Sequence, residues 1–170
     1  MAVKRDTDFF HDLIEQNKGI IYKVANAYCK SEENRKDLIQ EILIQIWLSI
    51  DKYDDQYKIS TWMYRIALNV SISFYRKERK RDEINNPIPD NIYYLSDENL
   101  ETESTELTLL KRFIRELKEL DRAVIILYLE ENSYKEIADI LGLSVTNVAT
   151  KVGRIKQQLK KKFEEKKDLI

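Results

Sequence analysis

The chain has 170 residues, 43% of them hydrophobic and 35% charged, and a formal net charge of −1. That length allows one domain or two small ones with a hydrophobic core. With only three Gly and two Pro, few turns are expected, and the composition predicts an all-α fold.

The single cysteine excludes an internal disulfide. Cys29 lies in an apolar run and is interpreted as a core residue, and one lone thiol favours a reducing compartment, so a cytoplasmic location is expected. The charged first ten residues lack a signal peptide's apolar stretch, and no apolar run reaches the roughly 18 residues that a membrane span requires. We therefore expect no insertion into a membrane.

Three helices are predicted in a first domain, residues 1–81. Apolar residues recur at helical spacing over residues 6–29 and again over 34–50, where Ser31 is a suitable N-cap. A third helix is predicted over about 61–80, capped by Ser60 or Thr61. Its expected buried side consists of Met63, Ile66, Ala67, Val70 and Phe74.

The composition then changes over residues 82–105, which are predicted to form an acidic flexible linker. From Asp82 to Leu110 there are eight Asp and Glu but no Lys or Arg, and both prolines lie here. Such a segment packs poorly on itself, so we expect it to be extended in the free protein. Its apolar residues indicate that it docks on some other surface.

Helical periodicity returns at about residue 106 and defines a second domain, residues 106–170. Asp121 is expected to open the next helix, and two shorter helices follow. Ser133 and Glu136 form a capping-box pattern, Gly142 supplies a helix stop, and Ser144 can cap the last helix. A short helix, a glycine turn and a second amphipathic helix predict a helix-turn-helix.

The second helix of such a motif places its N-terminal residues in the DNA major groove. Asn can pair with adenine, Thr can contact a thymine methyl group, and Lys and Arg neutralise phosphates. The alternative is a helical hairpin with a solvated face. The outward residues, with the cap, are Ser144, Thr146, Asn147, Thr150, Lys151 and Arg154.

A second candidate nucleic-acid surface follows one side of the third helix. Arg65, Asn69, Ser73 and Arg76 recur at steps of four, four and three, with Trp62, Tyr64 and Tyr75 near that edge. Stacking on aromatic rings and a basic run suit single strands, since stacking contributes about 1–3 kcal/mol per base. Core packing is the simpler reading of Trp62, and a solvated helix end is the alternative for the basic run. That run contains Arg76, Lys77, Arg79 and Lys80.

An acidic edge on the second helix is formed by Asp37, Gln40 and Glu41. It is a poor DNA surface. A protein-docking surface and a helix N-terminus that favours carboxylates both explain it, and the residues alone leave the two open.

The segments "DLIQEILIQIW", "STWMYRIALNVSISFYRKERKR" and "LKELDRAVIILYLEENSYKEIADILGLSVTNVATKVGRIKQQLKKKF" together resemble an extracytoplasmic-function (ECF, group IV) sigma factor of bacterial RNA polymerase. The resemblance implies a region-two domain that binds the clamp helices of the beta-prime subunit and the promoter −10 element. It implies a region-four domain that binds the −35 element and the flap of the beta subunit. The linker would follow the RNA exit path, and no cofactor is implied.

By position, the resemblance assigns Asp37, Gln40 and Glu41 to polymerase binding, and it places Asn69 at a pocket for a flipped non-template base. Trp62 and Arg65 belong to the same motif, and residues 70–75, including Ser71 and Ser73, match the edge beside the pocket. The stretch from Thr146 to Arg154 matches the −35 recognition helix. Promoter DNA and core RNA polymerase are thus the expected partners, and an anti-sigma factor is a possible third.

The recognition helix departs from the family pattern. Ala149 stands where an arginine is common, and Gly153 lies in mid-helix. Fewer bidentate donors imply weaker direct readout of guanine, which leaves open whether another partner recruits the protein to DNA.

A stand-alone helix-turn-helix regulator and a partner-binding helical protein without a DNA role are the alternatives. The sequence has no phosphate-binding loop, metal cluster or nucleophile paired with a base, so an enzyme is not expected.

Overall fold

The computed structural model describes residues 6–85 and 104–168. Every regular element in these ranges is a helix, as the sequence predicts, and the chain divides into two compact units, Met1–Lys80 and Arg81–Ile170. The helices are α1 (Thr7–Tyr28), α2 (Glu32–Ser49) with a 3₁₀ turn (Ile50–Lys52), α3 (Ile59–Asn85), α4 (Thr105–Arg115), α5 (Glu119–Leu129), α6 (Tyr134–Leu141) and α7 (Val145–Lys167).

The N-terminal unit is built from α1, α2 and α3. Asp6 accepts a hydrogen bond from the Asp8 amide at the start of α1, and Ser31 caps α2 as predicted, accepting from the Asn34 amide at 3.1 Å. Phe10 packs edge-on against Trp47 with ring centres 5.0 Å apart. The core of this unit consists of Leu13, Ile21, Val24, Ala25, Tyr28, Cys29, Leu38, Ile42, Ile46, Ile50, Met63, Tyr64, Ala67 and Leu68.

Helix α3 differs from the predicted range of 61–80 at both ends. It begins at Ile59, so Ser60 and Thr61 lie inside it and neither caps it. The Lys58 carbonyl accepts the first helical bond, from the Trp62 amide at 3.2 Å. At the other end the helix runs to Asn85, because the first helix-breaking residue is Pro87.

The extension of α3 covers the first four residues of the predicted linker, 82–85, which are helical rather than extended. It also moves the basic run into the helix interior, because the last turn contains no basic residue. The alternative explanation of that run as a charged C-terminal turn is therefore wrong. At the other end of the predicted linker, Ser104 caps α4 and Thr105 begins it. The rest of the linker, residues 86–103, lies outside the described residues.

The C-terminal unit packs α4, α5 and α6 around the long helix α7. Arg122, which the sequence analysis did not single out, is fully buried and donates from its guanidinium to the Leu117 carbonyl at 3.1 Å and to the Arg115 carbonyl. Phe113 packs edge-on against Phe163 with ring centres 5.0 Å apart, which joins α4 to the distal half of α7. The buried edge of α7 is the predicted one: Val148, Val152, Ile155 and Leu159.

The helix-turn-helix forms as predicted. Ser133 accepts from the Glu136 amide at 3.1 Å, and the Glu136 carboxylate accepts from the Ser133 amide at 2.8 Å. Gly142 ends α6 in the left-handed conformation with φ of 67°, and Ser144 caps α7. Helix α7 is long, with 23 residues, and not short as predicted.

The predicted start of α5 is wrong. This helix begins at Glu119, after Lys118, whose side chain makes no capping bond. Asp121 is therefore not an N-cap but the third residue of the helix, and its carboxylate is free to accept bonds from another helix.

Candidate functional site

The polar face of α3 is exposed as the spacing of its residues predicts. Asn69, Ser73 and Arg76 are exposed, and Arg65 is half-buried. Steps of four, four and three residues keep these side chains on one side of a helix with 3.6 residues per turn. The four side chains thus form a continuous polar stripe.

A cavity of about 420 Å³ lies at the N-terminal end of this stripe. It is a half-open cleft bordered by the end of α2, the 3₁₀ turn, the segment that follows and the first turns of α3. The lining residues combine aromatic faces, hydrogen-bond donors and one carboxylate: Ser49, Lys52, Asp54, Tyr57, Thr61, Trp62, Arg65, Ile66 and Asn69. Three residues assigned from the sequence, Trp62, Arg65 and Asn69, therefore share one cavity.

The walls of the cavity are held by aromatic contacts. Trp62 packs against Tyr53 with ring centres 5.3 Å apart, and the Arg65 guanidinium lies 5.3 Å from the centre of the Tyr57 ring. The Tyr53 hydroxyl donates to the Tyr57 carbonyl at 2.7 Å. Trp62 is half-buried against Tyr53, as core packing predicts, and it also lines the cavity.

The sequence analysis assigns no role to the segment "DKYDDQYKIS", which contains two tyrosines among charged residues. The structure places Lys52, Asp54 and Tyr57 in the cavity wall.

The position of Ser71 differs from the one predicted. It was assigned to the DNA-binding edge, but its side chain is fully buried and its hydroxyl has no hydrogen-bond partner. Two positions beyond Asn69, a helical residue is turned by about 200° and faces the core. Ser71 therefore cannot contact DNA in this fold.

Tyr64 and Tyr75 are also displaced from the predicted edge. Tyr64 is buried in the core of the N-terminal unit, and Tyr75 packs against Tyr28 with ring centres 6.2 Å apart. Neither ring joins Trp62 at the cavity. The aromatic character of the site comes instead from Trp62 and Tyr57.

The basic run follows the polar stripe toward the C-terminal end of α3. Arg76, Lys77, Arg79 and Lys80 are all exposed. Glu78 differs, since it is half-buried and accepts a hydrogen bond from the Asn34 side chain at 3.1 Å. The only acidic residue in the run is thus directed to the start of α2, and the basic residues around it are left on the surface.

The acidic edge of α2 is longer than predicted and is partly apolar. Asp37 and Gln40 are exposed and Glu41 is half-buried. Ile44 and Leu48 continue the same side of the helix, at 55% and 49% exposure. The spacing 37, 41, 44 and 48 puts Ile44 and Leu48 on the side of Asp37 and Glu41, but the sequence analysis names only the polar residues of that side.

The exposed face of α7 carries Thr146, Asn147 and Thr150. The Thr150 hydroxyl donates to the Thr146 carbonyl at 3.0 Å. Ser144, also assigned to DNA binding, is exposed, but its hydroxyl caps the helix by accepting from the Asn147 amide at 3.1 Å.

The two cations of this face are ion-paired within the unit. Lys151 Nζ lies 3.2 Å from Asp121 Oδ1, and Arg154 Nη2 lies 2.7 Å from Asp121 Oδ2. The sequence analysis predicts that both cations point outward, and it assigns Asp121 no part in the site. Asp121 lies 30 and 33 positions before these two cations, so no local pattern in the sequence indicates that they pair.

Comparison with known proteins shows to which family this chain belongs. The family model for Sigma-70 region 2 matches residues 13–81, and that for Sigma-70, region 4 matches residues 107–159. The ECF RNA polymerase sigma factor SigW of Bacillus subtilis (strain 168) is 31% identical, in an alignment that covers 94% of this chain and 91% of SigW. This chain belongs to the ECF family of RNA polymerase sigma factors.

Further relatives agree with that family. The ECF RNA polymerase sigma factor SigM of Bacillus subtilis (strain 168) is 26% identical, covering 82% of this chain and 86% of SigM. The sigma factor RpoE of Bartonella quintana, solved in complex with the anti-sigma factor NepR, superposes with a TM-score of 0.71 at 21% identity, covering 94% of this chain and 98% of RpoE. At that identity the likeness concerns the fold alone.

This sigma factor is thus a transcription initiation factor of RNA polymerase, and a stand-alone helix-turn-helix regulator is disfavoured. Sigma factors act in initiation by binding and not, in general, as enzymes. Within residues 6–85 and 104–168, no helix combines the length and hydropathy that crossing a bilayer requires.

Proposed function

We propose that this sigma factor holds one unpaired base of the promoter −10 element in the cavity at the start of α3. The observation that carries the proposal is that Trp62, Arg65 and Asn69 line one cavity of about 420 Å³. That volume lies within the range of about 300–1,000 Å³ that is typical of small-ligand sites.

The chemistry of the walls suits a base. A flipped base is recognised by hydrogen bonds to its Watson–Crick edge and by stacking on aromatic faces. The Asn69 amide supplies both a donor and an acceptor, which a base edge uses and a phosphate cannot. Tyr57 and Trp62 supply rings, and stacking on such rings contributes about 1–3 kcal/mol per base.

The basic run is proposed to hold the backbone of the same strand. Arg76, Lys77, Arg79 and Lys80 are exposed on the helix that carries Asn69. Contacts to phosphates carry no sequence information, so this part of the surface fixes the strand and the cavity selects the base. The two groups of residues therefore have separable effects, one on salt dependence and one on base preference.

Core polymerase is proposed to dock on α2. Asp37, Gln40 and Glu41 provide a polar, acidic end, and the exposed Ile44 and Leu48 provide an apolar end of one continuous stripe. Protein interfaces commonly combine an apolar centre with a polar rim. This stripe favours a docking surface over the alternative that the sequence left open, because a charged helix N-terminus alone does not account for two exposed aliphatic residues.

The −35 element is proposed to meet the N-terminal half of α7 through Thr146, Asn147, Thr150 and Arg154. The domain assignments, residues 1–81 for the −10 element and the clamp and 106–170 for the −35 element and the flap, remain predictions. An anti-sigma factor, the partner of RpoE in the Bartonella structure, remains a predicted partner for this chain.

Substitution of Asn69 by Ala tests the cavity. On a series of promoters that differ at one −10 base, holoenzyme with Asn69→Ala should assemble normally but lose its base preference in permanganate footprinting and run-off transcription. Asn26→Ala removes an exposed amide from α1 and serves as the matched control. Equal loss of activity on every promoter, with the base preference unchanged, would show that Asn69 is only a surface residue.

A further inference from the structure

Asp121 joins α5 to the DNA-facing side of α7 through two cations at once. Its side chain is 12% exposed, and its two carboxylate oxygens accept separately from Lys151 at 3.2 Å and Arg154 at 2.7 Å. Withdrawing a carboxylate this far from water is costly unless it is paired. The two contacts supply that pairing and also fix the positions of both cations.

The two cations are not equivalent in this cluster. The Lys151 side chain is 20% exposed and lies largely against the unit, whereas the Arg154 side chain is 58% exposed. A guanidinium has five N–H donors in a rigid fork, and Nη2 of Arg154 contacts the carboxylate. Arg154 is therefore held through Nη2, while more than half of its side chain is exposed to solvent.

The charge of this flank is also set by Asp121. Two cations and one carboxylate leave a single net positive charge beside the exposed Asn147 and Thr150. Free cations on a DNA-binding face raise affinity for any sequence, because they neutralise phosphates without reading bases. A carboxylate that holds them restrains that indiscriminate attraction.

We propose that Asp121 is a positioning residue for −35 recognition. It holds Arg154 in one orientation, so that the guanidinium contacts a base edge and not the neighbouring phosphates. Asp121 itself does not touch the DNA. The inference rests on the proposed role of Arg154 in −35 binding, and it assigns a part in specificity to a residue of α5, outside the recognition helix.

The test uses holoenzyme and a promoter library in which the −35 region is randomised and the −10 element is fixed. Asp121→Asn should flatten the preference at the same base pairs as Arg154→Ala, by about fivefold or more, the discrimination expected of a bidentate arginine contact. Total DNA retained at low salt should rise with Asp121→Asn, and the slope of log affinity against log salt should steepen by about one. The double variant should show no further loss of preference than Arg154→Ala alone.

A second variant covers the case in which Asp121→Asn does not fold, which a thermal melt would show. Asp121→Glu keeps the charge but moves the carboxylate by one methylene group. It should keep the salt slope of the wild type and still lose part of the preference, a split that a purely electrostatic or purely structural role would not give.

The outcomes separate the two proposals. If Arg154→Ala leaves the base preferences unchanged, the proposed role of Arg154 fails and the inference fails with it. If Arg154→Ala flattens the preferences while Asp121→Asn and Asp121→Glu keep them, only the positioning role of Asp121 is overturned.

Discussion

Ser71 and Ser73 stand two positions apart on α3 and face opposite sides of it. Ser73 is exposed on the polar stripe, whereas Ser71 is enclosed by the core and its hydroxyl lacks a partner. A buried donor without a hydrogen bond destabilises a fold by about 1–3 kcal/mol. The position of each serine around the helix axis therefore decides which one is available for binding.

Ser71→Ala should raise the free energy of unfolding. Ser73→Ala is the control, because both substitutions gain the same helix propensity and only the first removes an unsatisfied buried hydroxyl. We expect the first to exceed the second by about 1 kcal/mol in urea denaturation. A destabilised Ser71→Ala protein, or one with impaired promoter opening, would contradict this account of Ser71.

Cys29 is a second buried polar group with a measurable consequence. Burial raises the pKa of its thiol to about 12, whereas an unfolded thiol titrates at about 8.5. The folded state therefore binds the proton more tightly, and its contribution to stability is intact below pH 8.5 and is lost as the pH rises toward 12.

Between pH 8.5 and 10, wild-type protein should lose stability relative to Cys29→Ala, with a slope that approaches about 1.4 kcal/mol for each pH unit. Urea denaturation of both proteins at several pH values measures that difference, and the Ala variant cancels the titration of all other groups. A difference that stays constant with pH would contradict the buried, protonated thiol.

Elements with local start and stop signals were predictable from the sequence, and elements without them were not. The start of α6, the turn and the start of α7 are predictable, because the capping box of Ser133 and Glu136, the Gly142 stop and the Ser144 cap are all local. The length of α7 is not, and it exceeds the prediction. Helices α3 and α5 start after Lys58 and Lys118, which lack capping side chains, so both starts were assigned to the wrong residue. The pairing of Asp121 with α7 and the cavity wall of residues 49–57 arise from tertiary packing, which no local pattern encodes.

The glycines of the helix-turn-helix should respond to substitution in opposite directions. Gly153 lies in the interior of α7 with open space where the methyl group of an alanine would lie, so Gly153→Ala should stabilise the protein by about 1 kcal/mol. Gly142 has φ of 67°, so Gly142→Ala should destabilise it by about 1 kcal/mol.

Gly19→Ala in α1 is the matched control, since that helical glycine also has open space around it. Thermal melts of the three variants measure the effects. If Gly153→Ala lowers the melting temperature while Gly19→Ala raises it, α7 has a packing constraint at Gly153 that the structure does not contain.

Two surfaces of different character lie on different helices of the N-terminal unit. The acidic and apolar stripe lies on α2, and the polar and basic stripe lies on α3. The proposed docking on α2 and the proposed DNA contact on α3 can therefore be disrupted by separate substitutions. Both stripes were located in outline from sequence periodicity and the family resemblance, although Ile44, Leu48 and Tyr57 entered only with the structure.

Charge reversal on α2 should abolish binding to core polymerase without unfolding the protein. Asp37→Arg combined with Glu41→Arg reverses the acidic end of the stripe, where Asp37 is exposed and Glu41 is half-buried. The control is Asp12→Arg combined with Glu15→Arg, an equal change of charge at two exposed acids of α1. Co-sedimentation with core polymerase that is equal for both double variants would refute the docking surface.

The central claim is that this chain confers promoter specificity only as a subunit of RNA polymerase. The direct measurement is binding and opening of one promoter duplex by the chain alone, by core polymerase alone and by the two together. The account predicts strand opening, detected with permanganate, only when both are present, and weak binding of duplex by the chain alone. Tight, sequence-specific binding by the chain alone, with no opening when core polymerase is added, would contradict it.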